Sequence, residues 1–101
     1  MIIGNFIKEI KLKYKNHYFS DICFDSSKCK KDNIFFAIKG TKIDGNKFIN
    51  YAIQKGAKTI VSNQKIEGIK NNILFIKSSN VRKLLSEFAY KIYKEKPKNI
   101  I

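Results

Sequence analysis

The chain has 101 residues, of which 44% are apolar and 29% charged, with a net charge of +13. That length fits one domain able to bury roughly two-thirds of its unfolded surface without disulfides or metals, and the apolar share excludes a disordered polyelectrolyte. The positive charge invites nucleic acid, but Arg82 is the only arginine among the 21 basic residues; lysines spread over an Ile- and Asn-rich chain read equally as a coding bias toward A and T, and the bidentate side chain suited to phosphate and guanine is nearly absent.

At the N-terminus, Met1 to Phe6 lack the basic start and long apolar core of a signal peptide, so a cytoplasmic location is expected. No apolar run reaches the ~20 residues of a spanning helix, and no membrane association is expected. Ile3, Phe6, Ile7 and Ile10 recur at i, i+3, i+4 and i+7, which predicts a helix over 3–12. A polar connector over 13–19 carries His17, the single histidine, for which no partner is evident. Residues 21–24 read as a short strand running into Asp25-Ser26-Ser27, residues that end strands by bonding their own backbone. Cys23 and Cys29 lack the paired short spacings of a structural zinc site, with or without His17; two reduced thiols, Cys23 partly buried, are expected, with no metal.

After a hydrophilic crossing over 28–33, the unbroken apolar run Ile34-Phe35-Phe36-Ala37-Ile38 predicts a strand covered on both faces. Lys39-Gly40-Thr41-Lys42 breaks it. A helix follows, capped by Asp44 or Asn46, with Phe48, Ile49, Ala52 and Ile53 inward and Gly56 ending it in a left-handed conformation. Thr59 to Val61 is the next strand, 64–72 a polar loop, and Ile73 to Ile76 a further strand. Asn80 caps a last helix with an inward face of Val81, Leu84, Leu85, Phe88, Ala89 and Ile92, which Pro97 stops at or before Lys96. The order α-β-β-α-β-β-α contains a strand–helix–strand unit. It predicts an α/β three-layer domain with a small, largely parallel mixed sheet flanked by helices.

No catalytic set emerges: the four Asp and four Glu are scattered, and Lys39-Gly40-Thr41-Lys42 lacks the spacing of a phosphate-binding loop. The two polar loops, Asp25-Ser26-Ser27 and Gly40-Thr41-Lys42, both follow predicted strands, where α/β sheets hold ligands. Hydroxyls, a lysine and a glycine turn with accessible N–H groups suit an anion such as a nucleoside diphosphate; ordinary turns account for them equally well.

The stretch FDSSKCKKDNIFFAIKGTKIDGNKFINYAIQKGAKTIV resembles the N-terminal domain of the Mur ligases, which add amino acids to the cell-wall precursor. Asp25-Ser26, Ile34 to Ala37, Gly40, Asp44-Gly45, Phe48-Ile49, Ala52-Ile53 and Gly56-Ala57 fit that family's pattern. Val81-Arg82-Lys83-Leu84 and Tyr93 to Pro97 extend the likeness and favour the MurE type over the MurF type. The resemblance implies that residues 1–95 bind the uridine diphosphate end of UDP-MurNAc-L-Ala-D-Glu through Phe24, Ser26, Thr41, Lys42 and Ile43, with Asp25 and Ser27 secondary. It implies that 96–101 link to an ATP-binding domain, that Ile100-Ile101 open its first strand, and that ATP, Mg²⁺ and the catalytic groups of amide-bond formation belong to those further domains. Ser27 stands where the family pattern has Arg, which removes a fixed charge beside the expected site, and Asn33 stands where the crossing has Asp. The alternatives are the same domain of a MurF-type ligase and a small basic nucleic-acid-binding module.

Overall fold

A computed structural model describes residues 1–8, 10–38 and 48–95. Five strands form one sheet: β1 (Ile22–Cys23), β2 (Ile34–Phe36), β3 (Thr59–Ser62), β4 (Gly68–Lys70) and β5 (Ile73–Lys77), in the order β1-β2-β3-β5-β4. β1, β2, β3 and β5 run parallel, so their carboxyl ends share one edge; β4 pairs antiparallel with β5. Two helices flank the sheet, α1 (Ile49–Gln54) and α2 (Val81–Glu95).

The alternation of side chains along the strands builds the three layers. Ile34, Phe36, Val61 and Leu74 turn to one face and pack with Ile3, Phe19 and the α2 residues Val81, Phe88 and Ile92. Phe35, Ala37, Ile60 and Ile73 turn to the other and pack with Cys23, Cys29, Ala57 and the α1 residues Ile49 and Ala52. Ile34 to Ala37 are all buried, as a strand covered on both sides requires. The predicted α/β three-layer architecture is the one observed.

Three expectations are corrected. Among the described residues of 3–12 there is no α-helix; 3-10 turns stand at Ile3–Asn5 and Leu12–Tyr14. The Ile3 and Gly4 N–H groups donate to the His17 and Lys15 carbonyls, both at 2.9 Å, and Ile2 bridges Tyr18, so this backbone pairs with the chain returning over it. The apolar spacing still marks the inward side, because Ile3 is buried and Phe6, Ile7 and Ile10 pack against the same cluster. The 64–72 loop contains β4, joined to β5 by a two-residue turn in which Asn71 (φ 52°) and Asn72 (φ 68°) are both left-handed. Phe48 is the N-cap of α1 and 37% exposed, not part of its buried face.

Gly56 ends α1 as expected, at φ 120°. The Asn80 side chain accepts a hydrogen bond from the Lys83 N–H at 3.1 Å and caps α2. The proposed caps Asp44 and Asn46 and the stop at Pro97 lie outside the described residues. No helix among the described residues is long and apolar enough to cross a membrane.

Candidate functional site at the carboxyl edge of the sheet

β1 delivers its chain to the carboxyl edge at Phe24, and a 3-10 turn over Ser26–Lys28 follows at once. Asp25 shapes that turn. Its Oδ1 accepts from the Ser27 N–H at 3.0 Å and from the Ser27 hydroxyl at 2.7 Å. The same two bonds, hydroxyl first, hold the Asp25 carboxyl below its ordinary pKa, and Lys28 adds to the effect. The Ser27 hydroxyl is thus engaged in fixing the loop. Phe24 is 67% exposed beside it, a large apolar ring left in solvent at a strand end. Ser26 is 8% exposed, tucked under the turn.

The structure therefore brings four of the predicted residues, Phe24, Asp25, Ser26 and Ser27, together at one strand end. Thr41, Lys42 and Ile43 lie outside the described residues; Ile38, the last described residue before them, continues from β2 at the same edge. A cavity of about 160 Å³ opens there between Ala37, Ile38, Asn63, Ser79, Asn80 and Arg82. Sequence reasoning placed no site residue on α2, yet its first turn and the single arginine line this edge. The available signal was Asn80 itself: a cap residue after a parallel strand marks where a helix N-terminus faces the carboxyl edge.

Asn33 has a structural task. Its side-chain oxygen accepts from the Lys30 N–H at 2.9 Å and its amide donates to the Ser20 hydroxyl at 3.0 Å, which holds the crossing that leads into β2. His17, read as unpartnered, lies 2.7 Å from the Thr59 hydroxyl and feels the Asp32 carboxylate. A hydroxyl, an imidazole and a carboxylate in that order resemble a nucleophile relay, but Thr59 is fully buried and offers a substrate no access. Burial pushes the His17 ring below its ordinary pKa, with Asp32 opposing. A larger cavity of about 490 Å³ lies between Ile7, Ile10, Tyr14 and the β4–β5 hairpin and includes none of the predicted site residues. Among the described residues no group of three His, Cys, Asp or Glu is placed to hold a metal ion.

A mostly parallel sheet carrying polar loops at its carboxyl edge is the design of α/β domains that hold ligands beyond their strand ends. A family model described as "Mur ligase family, catalytic domain" matches residues 19–93. The chain belongs to the Mur ligase family. It is 36% identical over 88 residues to a Rickettsia prowazekii protein named UDP-N-acetylmuramoyl-L-alanyl-D-glutamate–2,6-diaminopimelate ligase, covering 87% of this chain and 18% of that one. A Clostridium tetani protein of the same name is 47% identical over 75 residues, covering 72% of this chain and 16% of its own length. The chain thus spans less than a fifth of these relatives. Among solved structures, MurF from Acinetobacter baumannii matches with a TM-score of 0.60 at 18% identity, covering 76% of this chain and 16% of that one, which shows the fold.

Proposed function

We propose that this chain is the N-terminal substrate-binding domain of a MurE-type ligase. Residues 1–95 then hold the uridine diphosphate end of UDP-MurNAc-L-Ala-D-Glu, and residues 96–101 lead toward an ATP-binding domain. The observation that carries this reading is the loop Phe24 to Ser27, built on β1 and pinned by Asp25 at the carboxyl edge of a parallel sheet. The relatives support it: at 36% and 47% identity they share one ligase name, which specifies a diamino acid, 2,6-diaminopimelate, as the group added. The MurF name of the solved neighbour comes at 18% identity and carries the fold alone.

In this reading the domain binds and orients; it does not perform bond chemistry. Contacts to the nucleotide, far from the reacting carboxylate, supply binding energy that fixes the acyl end for amide formation. Phe24 offers an exposed ring for the uracil, Ser26 stands in the turn at the strand end on the phosphate side, and Arg82 brings a guanidinium to the carboxyl edge of the sheet. ATP and Mg²⁺ are required by the proposed whole enzyme. Under this proposal both of their sites belong to further ligase domains and none to this one. The cytoplasm is the compartment this substrate implies.

The test is a titration of ¹⁵N-labelled chain with UDP and with UDP-MurNAc-L-Ala-D-Glu. Amide signals of Phe24, Ser26, Ser27, Thr41, Lys42 and Ile43 are expected to shift together, and S26A to weaken binding up to about tenfold, the worth of one hydrogen bond. Saturating UDP-linked substrate that leaves both loops unperturbed overturns the assignment.

A further inference from the structure

Cys23 and Cys29, the only two cysteines of the chain, take no part in the nucleotide reading. Cys23 ends β1, and Cys29 follows the Ser26–Lys28 turn, so the pair brackets the candidate loop. The lysines around Cys29 suggest an exposed thiol, yet both are buried, 6% and 5% exposed. The Cys29 thiol donates to the Cys23 sulfur at 3.0 Å, and the Cys23 thiol donates to the Asp25 carbonyl at 2.9 Å. The two sulfurs need to close by only about 1 Å to reach a disulfide bond length. Of the residues between them, Phe24, Asp25, Ser27 and Lys28 are exposed and only Ser26 is buried, so the pair sits at the margin of its core beneath a surface loop whose displacement admits a reagent.

We propose that Cys23 and Cys29 form a redox-modification site, a dithiol that a small organic disulfide oxidises to an intramolecular disulfide stapling the Phe24 to Lys28 loop. The thiolate of Cys23 attacks one sulfur of the reagent and expels the first small thiolate. Cys29, kept protonated in the resting state by burial and by its bond to Cys23, then loses its proton, attacks the Cys23 sulfur of the mixed disulfide and expels the second. One S–S bond forms in the chain and one breaks in the reagent; the chain gives up two electrons and two protons, and the reagent leaves as two thiols. The new bond consumes both thiol donors. The Asp25 carbonyl loses the Cys23 donor and keeps the Lys28 N–H, and the turn carrying Ser26 and Ser27 shifts as the sulfurs close.

The inference goes beyond the nucleotide reading and stands or falls without it. Folded chain is incubated with excess glutathione disulfide at mildly alkaline pH, acid-quenched, alkylated and weighed. The expected product is lighter by two hydrogens, carries no glutathione and takes no alkyl group. Trypsin cuts after Lys28, so the digest yields one cross-linked pair of peptides, and dithiothreitol restores the original mass. The C29S variant, with no second thiol, is expected to accumulate the mixed disulfide on Cys23; should it fail to fold, the wild-type masses decide alone. Amide signals of Asp25, Ser26 and Ser27 are expected to move on oxidation while those of α2 stay. Two thiols that remain alkylatable in the folded chain, a persistent wild-type mixed disulfide, an intermolecular dimer, or oxidation confined to the urea-unfolded chain overturns the proposal.

Discussion

A half-buried imidazole is a pH-sensitive element of this fold. His17 sits beside Thr59, whose hydroxyl it meets at 2.7 Å, and its pKa lies below the ordinary 6.5 because burial penalises the cation more than Asp32 favours it. The unfolded chain therefore takes up a proton at a pH where the folded chain still refuses it. This contribution to stability is complete above 6.5 and is lost as the pH falls from there through the folded value. Urea midpoints measured across that acid range are expected to fall for the wild type and to fall less steeply for H17Q; equal slopes remove His17 as the cause. Little of this was legible in the sequence, because the partner Thr59 is 42 positions away and only the sheet register brings the two together. Asp25 was legible. Its bonds to Ser27 are local, two residues on, and local chemistry of that kind is carried by residue type alone.

The elements divide the same way. The parallel core strands and both helices follow from apolar runs, and α2 also from its cap, since Ile34 to Ala37 are buried on two faces and Asn80 caps α2. The N-terminal segment does not, because Ile3, Gly4 and Phe19 donate to His17, Lys15 and Met1 across the chain, a pairing no local pattern encodes. β4 was missed for its polarity: Ile69 and Lys70 are exposed edge residues, and only the Asn71-Asn72 pair signals the left-handed hairpin turn. The candidate site follows this division, with the β1 loop legible and the α2 side of the edge hidden until the strands were ordered. Gly56 couples two elements. A Cβ built there at φ 120° meets the Lys31 Cα and N at 2.8 Å, while the Gly56 carbonyl accepts from the Asp32 N–H at 2.8 Å. G56A combines backbone strain with a collision against main chain that has no rotamer to change. It is expected to cost about 3 kcal/mol in urea denaturation, the upper end for a forced left-handed residue. A loss below about 0.5 kcal/mol would show that the crossing over 30–33 yields freely.

At the scale of the whole molecule, the sheet separates two cores with different tasks. The face carrying Cys23, Cys29 and α1 underlies the candidate loop, while the opposite face is sealed by the N-terminal segment and α2. Phe88 is the centre of that seal. It is fully buried and lies 4.7 Å from the Phe6 ring, 5.7 Å from Phe19 and 5.3 Å from Phe36, centroid to centroid, so it joins helix, sheet and N-terminal segment. F88A removes those contacts and leaves a cavity that three elements must collapse to fill, a change expected to cost about 3–5 kcal/mol of the ~5–15 kcal/mol that holds a domain folded. Y90A, two residues on along the same helix but 68% exposed, is expected to stay within about 0.5 kcal/mol and controls for helix propensity. The urea midpoint of F88A should drop with its slope unchanged, since the surface exposed on unfolding is nearly the same. The Asp25 to Ser27 signals of the remaining folded protein should hold their positions, because the loop rests on the other core. A loss near that of Y90A would mean that the N-terminal segment does not close this face, and movement of the loop signals would mean that the two cores are not independent.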